Sequence, residues 1–479
     1  MLKAEQDPRL RKAAWEGLRS IEPWVLERGF LEVVKLRNQL GRMLGAEDYY
    51  DWKVRRTEGM TKAEVFALLD ELEGKTRAAG QRAVEELKRQ KGADQVAGWN
   101  LRFLVGGDVT RELDPYFPFA QALSRWGRSF AALGIEYRGA RMVLDLVDRE
   151  GKYENGFMHG PEISWRRRGE LQRARIQFTA NAIPGMPGSG QSATATLFHE
   201  GGHAAHFANI DMPAPCFGQE FAPTSVAFAE TQSMFLDSLL DDADWRVRYA
   251  RGPKGDAMPM SLIERALATT QPFAAWDARS MLTVCYAEKA IYELPDERLT
   301  PEGVLQALRE TERRLLFIDG SPRPVLAVPH LLSGESSAYY HGYVLAEMGV
   351  QQTRDFFLAR DGHLVDNPKV GPDLARAYWR PGNSQRCSPL IEALTGEPLG
   401  AEAMARHVCR TTDEALADAR EAARREPGLP RFEGPVDLDA HIRVAHGNET
   451  IAEVAPGGRF EDLSDAFGRW VAAISSEKA

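Results

Sequence analysis

Three observations predict a mainly α-helical fold with a small β-sheet beside one central helix. Apolar residues recur at helical spacing through most of residues 8–150, most regularly in the charged stretch 61–92. A short segment, 175–181, alternates polar and apolar residues in the manner of a strand. Helical spacing then returns from about Ser192 and carries an H-E-x-x-H pentad at residues 199–203.

The other elements follow from interruptions of that periodicity. Thr61 and Glu64 fit a capping box at the start of a helix. A Gly-rich region, 151–161, separates the helical front from the strand. Further helices are predicted over 223–241, opened by Pro223, and over 260–320, 336–361 and 371–379. The tail after about 410 begins as an Ala/Arg/Glu-rich helix, and its prolines then predict irregular structure.

Composition excludes several classes of protein. The 479 residues are 43% hydrophobic and 27% charged, which suits a globular protein with a large core. A net charge of −9 disfavours nucleic-acid binding, and no apolar run is long enough to cross a membrane. The polar start lacks the apolar core of a signal peptide, so we expect a cytoplasmic protein. The four scattered cysteines, Cys216, Cys285, Cys387 and Cys409, are expected to be reduced thiols.

The pentad is the strongest chemical signal in the chain. On a helix, His199 and His203 lie one turn apart and can present two imidazoles to one ion. Glu200 lies beside them, where its carboxylate can act as a general base toward water. With 10 histidines in the chain, such a pentad arises by chance on the order of one time in a hundred. The pattern therefore predicts a catalytic zinc site, which still needs a third protein ligand.

Three residues are candidates for that third ligand. His206 shares the face of the pentad but is two turns from its first histidine, so a core or supporting position is favoured. Asp211 is in a proline-flanked loop. Glu230 is the best candidate, because a carboxylate within the apolar helix 226–235 is costly unless paired or coordinated. Asp237, two turns further on, either holds a ligating imidazole or is a solvated charge.

Two further features near the pentad leave alternatives open. Gly201 and Gly202 each cost about 1 kcal/mol in a helix interior, which close approach of another group or simple tolerance could explain. Downstream, His330 precedes three tyrosines within 14 positions. Their hydroxyls could enter one cleft and stabilise a developing oxyanion, or they could be packing residues; the tyrosines are Tyr339, Tyr340 and Tyr343.

These motifs together resemble the thimet oligopeptidase and oligoendopeptidase F family of zinc metallopeptidases, over roughly residues 8–408. The pentad followed by His206 is similar to that family's H-E-x-G-H-x-x-H. The helix around Glu230 resembles its third-ligand helix, and the His330 segment resembles its His–Gly–Tyr-Tyr–Tyr segment. The Gly-Lys…Gly pattern that starts at Gly151 resembles the segment before the family's active-site edge strand.

The resemblance implies a two-lobed helical zincin fold with a deep central cleft that admits short, unstructured peptides. One Zn2+ per chain would be bound by His199, His203 and Glu230, with Glu200 as the general base. His330, Tyr343, and Tyr339 or Tyr340 would contact substrate and the tetrahedral intermediate. The strand 176–181 would pair with substrate by strand addition.

The expected organisation has three parts: an N-terminal helical region, 1–150, a zinc-binding catalytic region, 151–408, and a C-terminal extension, 409–479. The chain departs from the family pattern at Glu335, where long members carry tyrosine, and by one extra residue between Tyr340 and Tyr343. The front is shorter than in long members. The alternatives are a zinc carboxypeptidase of the Taq type and a non-catalytic peptide-binding protein, and the sequence indicates no oligomeric state.

Overall fold

Helices form most of the chain, as predicted, in a computed structural model that describes residues 2–3, 5–153, 155–215, 225–252 and 254–477. The front third contains seven helices: α1 (Pro8–Arg19), α2 (Ile21–Val25), α3 (Leu31–Met43), α4 (Tyr49–Thr57), α5 (Lys62–Lys91), α6 (Gly98–Leu113) and α7 (Ala122–Ala132). Thr61 and Glu64 form the predicted capping box at the start of α5. Pro223, predicted to open a helix, lies outside the described residues.

Helices are present in the predicted ranges 223–241, 260–320 and 336–361, although the last begins at His341, and the helices over 243–249 and 329–332 were not predicted. The pentad helix and those that follow it are α8 (Ser189–Asn209), α9 (Val226–Asp237), α10 (Ala243–Tyr249), α11 (Met260–Thr270), α12 (Ala274–Glu293), α13 (Pro301–Leu316), α14 (Pro329–Leu332) and α15 (His341–Asp361). The remaining helices are α16 (Val370–Leu374), α17 (Cys387–Thr395), α18 (Glu402–Val408), α19 (Thr412–Arg425) and α20 (Phe460–Glu477). A kink at Arg28 and Gly29, where Gly29 has a φ of +94°, separates α2 from α3, and a short π-helical turn occurs at Ala375–Trp379.

The main sheet has four strands in the spatial order Arg175–Ala182, Ala140–Val147, Ala440–His446 and Glu449–Val454. The six strands of the described chain are β1 (Ala140–Val147), β2 (Trp165–Arg167), β3 (Glu170–Gln172), β4 (Arg175–Ala182), β5 (Ala440–His446) and β6 (Glu449–Val454). Strand β1 pairs in parallel with β4 on one side and β5 on the other, while β5 and β6 form an antiparallel hairpin. Strands β2 and β3 form a separate antiparallel pair. The predicted strand over 175–181 is β4.

The structure corrects two sequence-based expectations. The region 8–150 is helical except at β1, whose central place in the sheet was not predicted. The tail is irregular over 429–439, where two of its prolines lie, but β5, β6 and α20 follow and β5 pairs with β1. The sheet thus joins strands from all three expected parts of the chain, and the three-part division stays a prediction.

The outer edge of β4 is already paired, which corrects the expectation that this strand is open to substrate. The segment 157–162 runs antiparallel to it through bridges at Met158–Phe178 and Glu162–Arg175. The His159 N–H donates to the Gln177 carbonyl at 2.8 Å. The outermost backbone beside α8 is therefore the segment 157–162.

Two large apolar clusters account for the two-lobed architecture. One surrounds the main sheet, α7, α8 and α20. The other joins α3, α4 and α5 to α12, α13 and the first half of α15. Helix α9 contributes to both, since Ala227 belongs to the second cluster and Phe228 to the first. The depth of the cleft between the lobes stays a prediction.

No helix of the described residues is both long and apolar enough to cross a membrane. The cysteines of the described chain, Cys285, Cys387 and Cys409, are free thiols, as expected, and Cys216 lies outside the described residues.

Candidate metal and catalytic site

Close packing of three helices places the site. Helix α8 lies between β4 and α9, and α9 packs against α15. A Cβ at Gly202 would lie 2.8 Å from the Gln232 carbonyl of α9, and one at Gly201 would lie 2.4 Å from Trp126 Nε1. Close approach therefore explains both glycines of the pentad. The short distance between α8 and α9 brings Glu230 to the two histidines.

His199, His203 and Glu230 converge on one point. Their three donor atoms all lie within 4.8 Å of one another. Glu230 Oε2 is 3.3 Å from His199 Nε2 and 3.5 Å from His203 Nε2. Tetrahedral zinc with bonds of about 2.0–2.1 Å separates its ligand atoms by about 3.3 Å. The two separations from Glu230 therefore fit a tetrahedral zinc ion.

Neighbouring side chains orient His199 and Glu230 through hydrogen bonds. His199 Nδ1 lies 2.9 Å from Asp237 Oδ2, which leaves Nε2 directed at the shared point. Ser233 donates to Glu230 Oε2 at 3.2 Å, and the Tyr339 hydroxyl donates to Glu230 Oε1 at 2.9 Å. Of the two alternatives for Asp237, the structure therefore shows the first, in which its carboxylate holds an imidazole of the donor set.

Glu200 lies beside the donors but bonds to none of them. It is only 4% exposed, and its Oε2 has no hydrogen-bond partner among the described residues. Burial raises the pKa of its carboxyl, while His199 and His203 oppose that shift. A buried, unpaired carboxylate with a raised pKa next to a metal-type donor set is poised to exchange protons.

Glu230 has the opposite electrostatic character. Burial alone raises its pKa, but His203 and His199 outweigh burial and hold the pKa well below its ordinary value. The pKa values of two carboxyl groups on adjacent helices, Glu200 on α8 and Glu230 on α9, are thus shifted in opposite directions. Such a separation is typical of sites where one carboxylate binds and the other transfers protons.

The other two third-ligand candidates lie elsewhere. His206 is 2% exposed, stacks on Phe207 and packs edge-on against Phe228. Burial lowers its pKa to about 3, so it is a neutral core histidine. Asp211 pairs with Arg138 and Arg166 beyond the end of α8.

The predicted tyrosines surround one histidine. The rings of Tyr339, Tyr340 and Tyr343 lie 5.6, 5.5 and 5.7 Å from that of His330. His330 Nε2 is 3.2 Å from the Tyr343 hydroxyl. The Tyr339 hydroxyl donates to Glu230, whereas the Tyr343 hydroxyl lies against His330.

Two residues that hold segments beside the site, Glu288 and Lys152, were not assigned such a role from the sequence. Glu288, in the middle of α12, accepts a hydrogen bond from the Ala338 N–H just before Tyr339, at 2.7 Å. Lys152 donates to the carbonyls of Asp145, Val147 and Ala180, and so ties the Gly-rich segment to the sheet. The family-like Gly-Lys pattern pointed to Lys152, whereas a mid-helix glutamate carries no local signal.

Residues 1–409 match the family model described as peptidase family M3. The chain is 21% identical over 451 residues to oligopeptidase A of Haemophilus influenzae, which covers 84% of this chain and 63% of the relative. It is 22% identical over 437 residues to oligopeptidase A of Escherichia coli K12, covering 80% and 62%. The chain thus spans just under two thirds of the length of these curated relatives.

Solved structures with a similar fold include a putative oligoendopeptidase F, with a TM-score of 0.57, 16% identity and coverage of 87% of this chain and 70% of that one. The M32 carboxypeptidase from Deinococcus radiodurans R1 has a TM-score of 0.56, 17% identity and coverage of 87% and 78%. At these identities the likeness extends to the fold alone, and it confirms the zincin-like architecture. Because the family model spans most of the sequence, the chain belongs to peptidase family M3.

Proposed function

We propose that the chain is a zinc-dependent oligopeptidase that hydrolyses peptide bonds in short, unstructured peptides. The observation that carries this proposal is the convergence of His199, His203 and Glu230 beside the buried, unpaired carboxylate of Glu200. Membership of peptidase family M3 and the names of the two oligopeptidase relatives support the same activity.

One Zn2+ per chain would be held by His199 Nε2, His203 Nε2 and Glu230 Oε2, and the two separations from Glu230 fit tetrahedral coordination. When bound, such an ion supplies a Lewis acid that polarises the scissile carbonyl. Asp237 keeps the His199 ring in position by accepting its Nδ1–H.

Glu200 is proposed to transfer the protons of the reaction. Its carboxylate takes a proton from the attacking water and then gives it to the leaving amine. The buried position of Glu200 raises its pKa toward neutrality, which suits a group that must both accept and release a proton. The absence of a hydrogen-bond partner among the described residues leaves Oε2 available for this task.

His330 and Tyr343 are proposed to stabilise the oxyanion that develops on the carbonyl oxygen. The two groups are 3.2 Å apart, with His330 carried by α14 and Tyr343 by the first turn of α15. Hydrogen-bond donors placed where charge develops typically contribute a few kcal/mol to catalysis. Tyr339 acts through Glu230, and the Tyr340 ring supports His330.

Short peptides are the proposed partners, and the cytoplasm is the proposed location. Free thiols at Cys285, Cys387 and Cys409 fit a reducing compartment and so support that location. The net charge of −9 argues against nucleic acid as a partner.

The test is mass-spectrometric mapping of cuts in a mixed peptide library, offered with free and with amidated carboxyl ends. An oligopeptidase cuts internal bonds of both sets, and removal of metal with a chelator abolishes cutting. Release of single residues from free carboxyl ends alone would instead identify a carboxypeptidase, the activity named for one structural relative. Peptide binding without any cutting by the zinc-loaded protein would identify a non-catalytic binding protein.

A further inference from the structure

Side chains of α3, α4 and α12 form hydrogen bonds to the segment 331–340, which joins His330 to the start of α15. We call this segment the loop 331–340. The hydrogen bonds are Arg37 to the carbonyls of Leu331 (2.8 Å) and Ser333 (2.6 Å), Lys53 to the Glu335 carbonyl (2.6 Å), Tyr49 with Ser337 Oγ (2.9 Å), and the Ala338 N–H to Glu288 (2.7 Å). Four of these five bonds reach the loop backbone, so they specify its course whatever its side chains are.

Glu288 differs from the other members of this set. It is the member that accepts a backbone N–H, and it is a carboxylate that is only 1% exposed. Its second oxygen, Oε2, has no hydrogen-bond partner among the described residues. Burying a carboxyl group with a single hydrogen bond is costly, and that cost shows in a pKa that burial raises to about 7. Burial of the Glu288 carboxyl is costly, and its one hydrogen bond within the described chain is to the Ala338 N–H of the loop. This combination indicates that Glu288 has a role in that loop.

The loop is strained at the bonded residue. Ala338 has a φ of +47°, in the left-handed region that a non-glycine residue enters only at an energetic cost. The N–H captured by Glu288 belongs to this residue. Its right-handed alternative would rotate the peptide that leads directly into Tyr339, whose hydroxyl donates to Glu230.

We infer that Glu288 is a positioning residue for the catalytic site: by accepting the Ala338 N–H it holds the loop in its left-handed turn and so directs Tyr339, and with it His330 and Tyr343, at the metal donors. The kinetic consequence rests on the proposed peptidase function. The structural consequence, a restrained loop 331–340, does not.

Two conservative variants separate the reach of the side chain from its charge. Glu288→Gln keeps an oxygen at the same distance from Ala338 but removes the charge. Glu288→Asp keeps the charge but shortens the side chain by one methylene and withdraws the acceptor. The matched control is Glu73→Asp, which shortens another buried carboxylate that faces α12, where it bonds to Arg279.

The first readout is hydrogen exchange of peptides that cover the loop 331–340, measured on the zinc-loaded protein. We expect exchange at least about fivefold faster in Glu288→Asp, because an unheld loop opens more often, and wild-type exchange in Glu288→Gln and Glu73→Asp. The second readout is kinetic. Glu288→Asp should lower kcat by about tenfold or more with KM within about threefold and zinc content unchanged, while Glu288→Gln stays within about threefold of wild type.

Wild-type loop exchange in Glu288→Asp, or a defect in Glu288→Gln that equals that of Glu288→Asp, would overturn the inference. An equal effect of Glu73→Asp on the loop would also overturn it, since the effect would then be general loosening of α12. If the wild-type protein cleaves no peptide, the proposed function fails, and the exchange data alone still decide whether Glu288 positions the loop.

Discussion

Asp237 Oδ2 lies 2.9 Å from His199 Nδ1, two turns along α9 from Glu230, whose Oε2 lies 3.3 Å from the other nitrogen of the same ring. One helix therefore supplies both a metal-type carboxylate and the carboxylate that orients the first imidazole. The tautomer of His199 and the direction of its Nε2 are both set from α9. Movement of α9 relative to α8 would disrupt the whole donor set at once.

This arrangement predicts how zinc content responds to substitution. Glu230→Ala should reduce bound zinc to well below one per chain, because it removes a ligand from a three-residue set. Asp237→Asn should weaken zinc binding by about 10–100-fold while leaving the ligands in place. His206→Gln is the matched control and should keep one zinc per chain, since His206 is stacked in the core. Metal analysis that found zinc lost from His206→Gln and kept in Glu230→Ala would reassign the third ligand.

A second prediction concerns Glu200. Glu200→Gln should retain the fold and one zinc per chain, because Glu200 bonds to none of the donor atoms, yet lose several orders of magnitude in kcat. The amide cannot accept the proton that the buried carboxylate takes. Single-turnover hydrolysis and zinc content, measured on one preparation, provide the check. Turnover near that of the wild-type protein in this variant would contradict the proposed proton transfer.

The third prediction separates two tyrosines. Tyr343→Phe should lower kcat by about ten- to a thousandfold with a smaller change in KM, because it removes a donor from the developing oxyanion. Tyr339→Phe should act mainly on zinc affinity, since its hydroxyl donates to Glu230 Oε1 at 2.9 Å. Steady-state kinetics and zinc titration of both variants measure whether each substitution acts on kcat or on zinc affinity. A large kcat effect confined to Tyr339→Phe would exchange the two roles.

The convergence of His199, His203 and Glu230 could be predicted because its signals are local. The pentad sets its own geometry on a helix, and Glu230 stands out as one carboxylate within an apolar helix. Asp237 stayed ambiguous, because only the packing of α8 on α9 brings it to His199. Gly202 is likewise ambiguous from the sequence, because only helix packing sets its Cβ position against the α9 backbone.

The pairing of the sheet strands and the support of the loop could not be predicted, for a different reason. Strand β1 is stabilised by β5, about 300 residues away, so neither segment carries enough local information to identify its partner. The same holds for Glu288, whose partner is a backbone N–H that no side-chain pattern marks. The pairing of 157–162 with β4 has no sequence signal, because its bridges join single residues of a Gly-rich segment.

A fourth prediction concerns stability and pH. Burial raises the pKa of Glu288 from about 4.5 to about 7, against the opposing effects of the Ala338 N–H and of Arg37 and Lys53. Between these two pH values the folded chain keeps a proton that the unfolded chain releases. The contribution of this group to the free energy of unfolding therefore falls as pH rises from about 4.5 to 7 and stays low above that.

Glu288→Gln removes this dependence. The free energy of unfolding of the variant minus that of the wild type should therefore rise by up to about 3 kcal/mol as the pH rises from 4.5 to 8. Urea unfolding of both proteins at the two pH values measures that change. An identical difference between variant and wild type at both pH values would mean that this carboxyl does not retain its proton in the folded chain.

The last prediction concerns the size of the substrate. The outermost backbone beside α8 is the segment 157–162, and a Cβ at Gly156 would lie 2.2 Å from Thr196 of α8, so this segment runs directly alongside the pentad helix. Tyr153 and Phe157 are 55% and 37% exposed there, and their rings form an edge-to-face pair. Only an extended chain can lie along such an edge and also reach donors as buried as His203.

A stably folded protein would first have to unfold locally, at a cost of several kcal/mol. We therefore expect cleavage of free peptides of roughly five to twenty residues, the range implied by the family resemblance and by binding along a strand, and negligible attack on stable globular proteins. The test offers one peptide sequence free, embedded in a stable host, and embedded in a host destabilised by a core substitution. The rate should be highest for the free peptide, intermediate for the destabilised host and lowest for the stable host, because cleavage of the embedded sequence follows the population of open states. Equal rates for all three would rule out an enclosed site that accepts only extended chains.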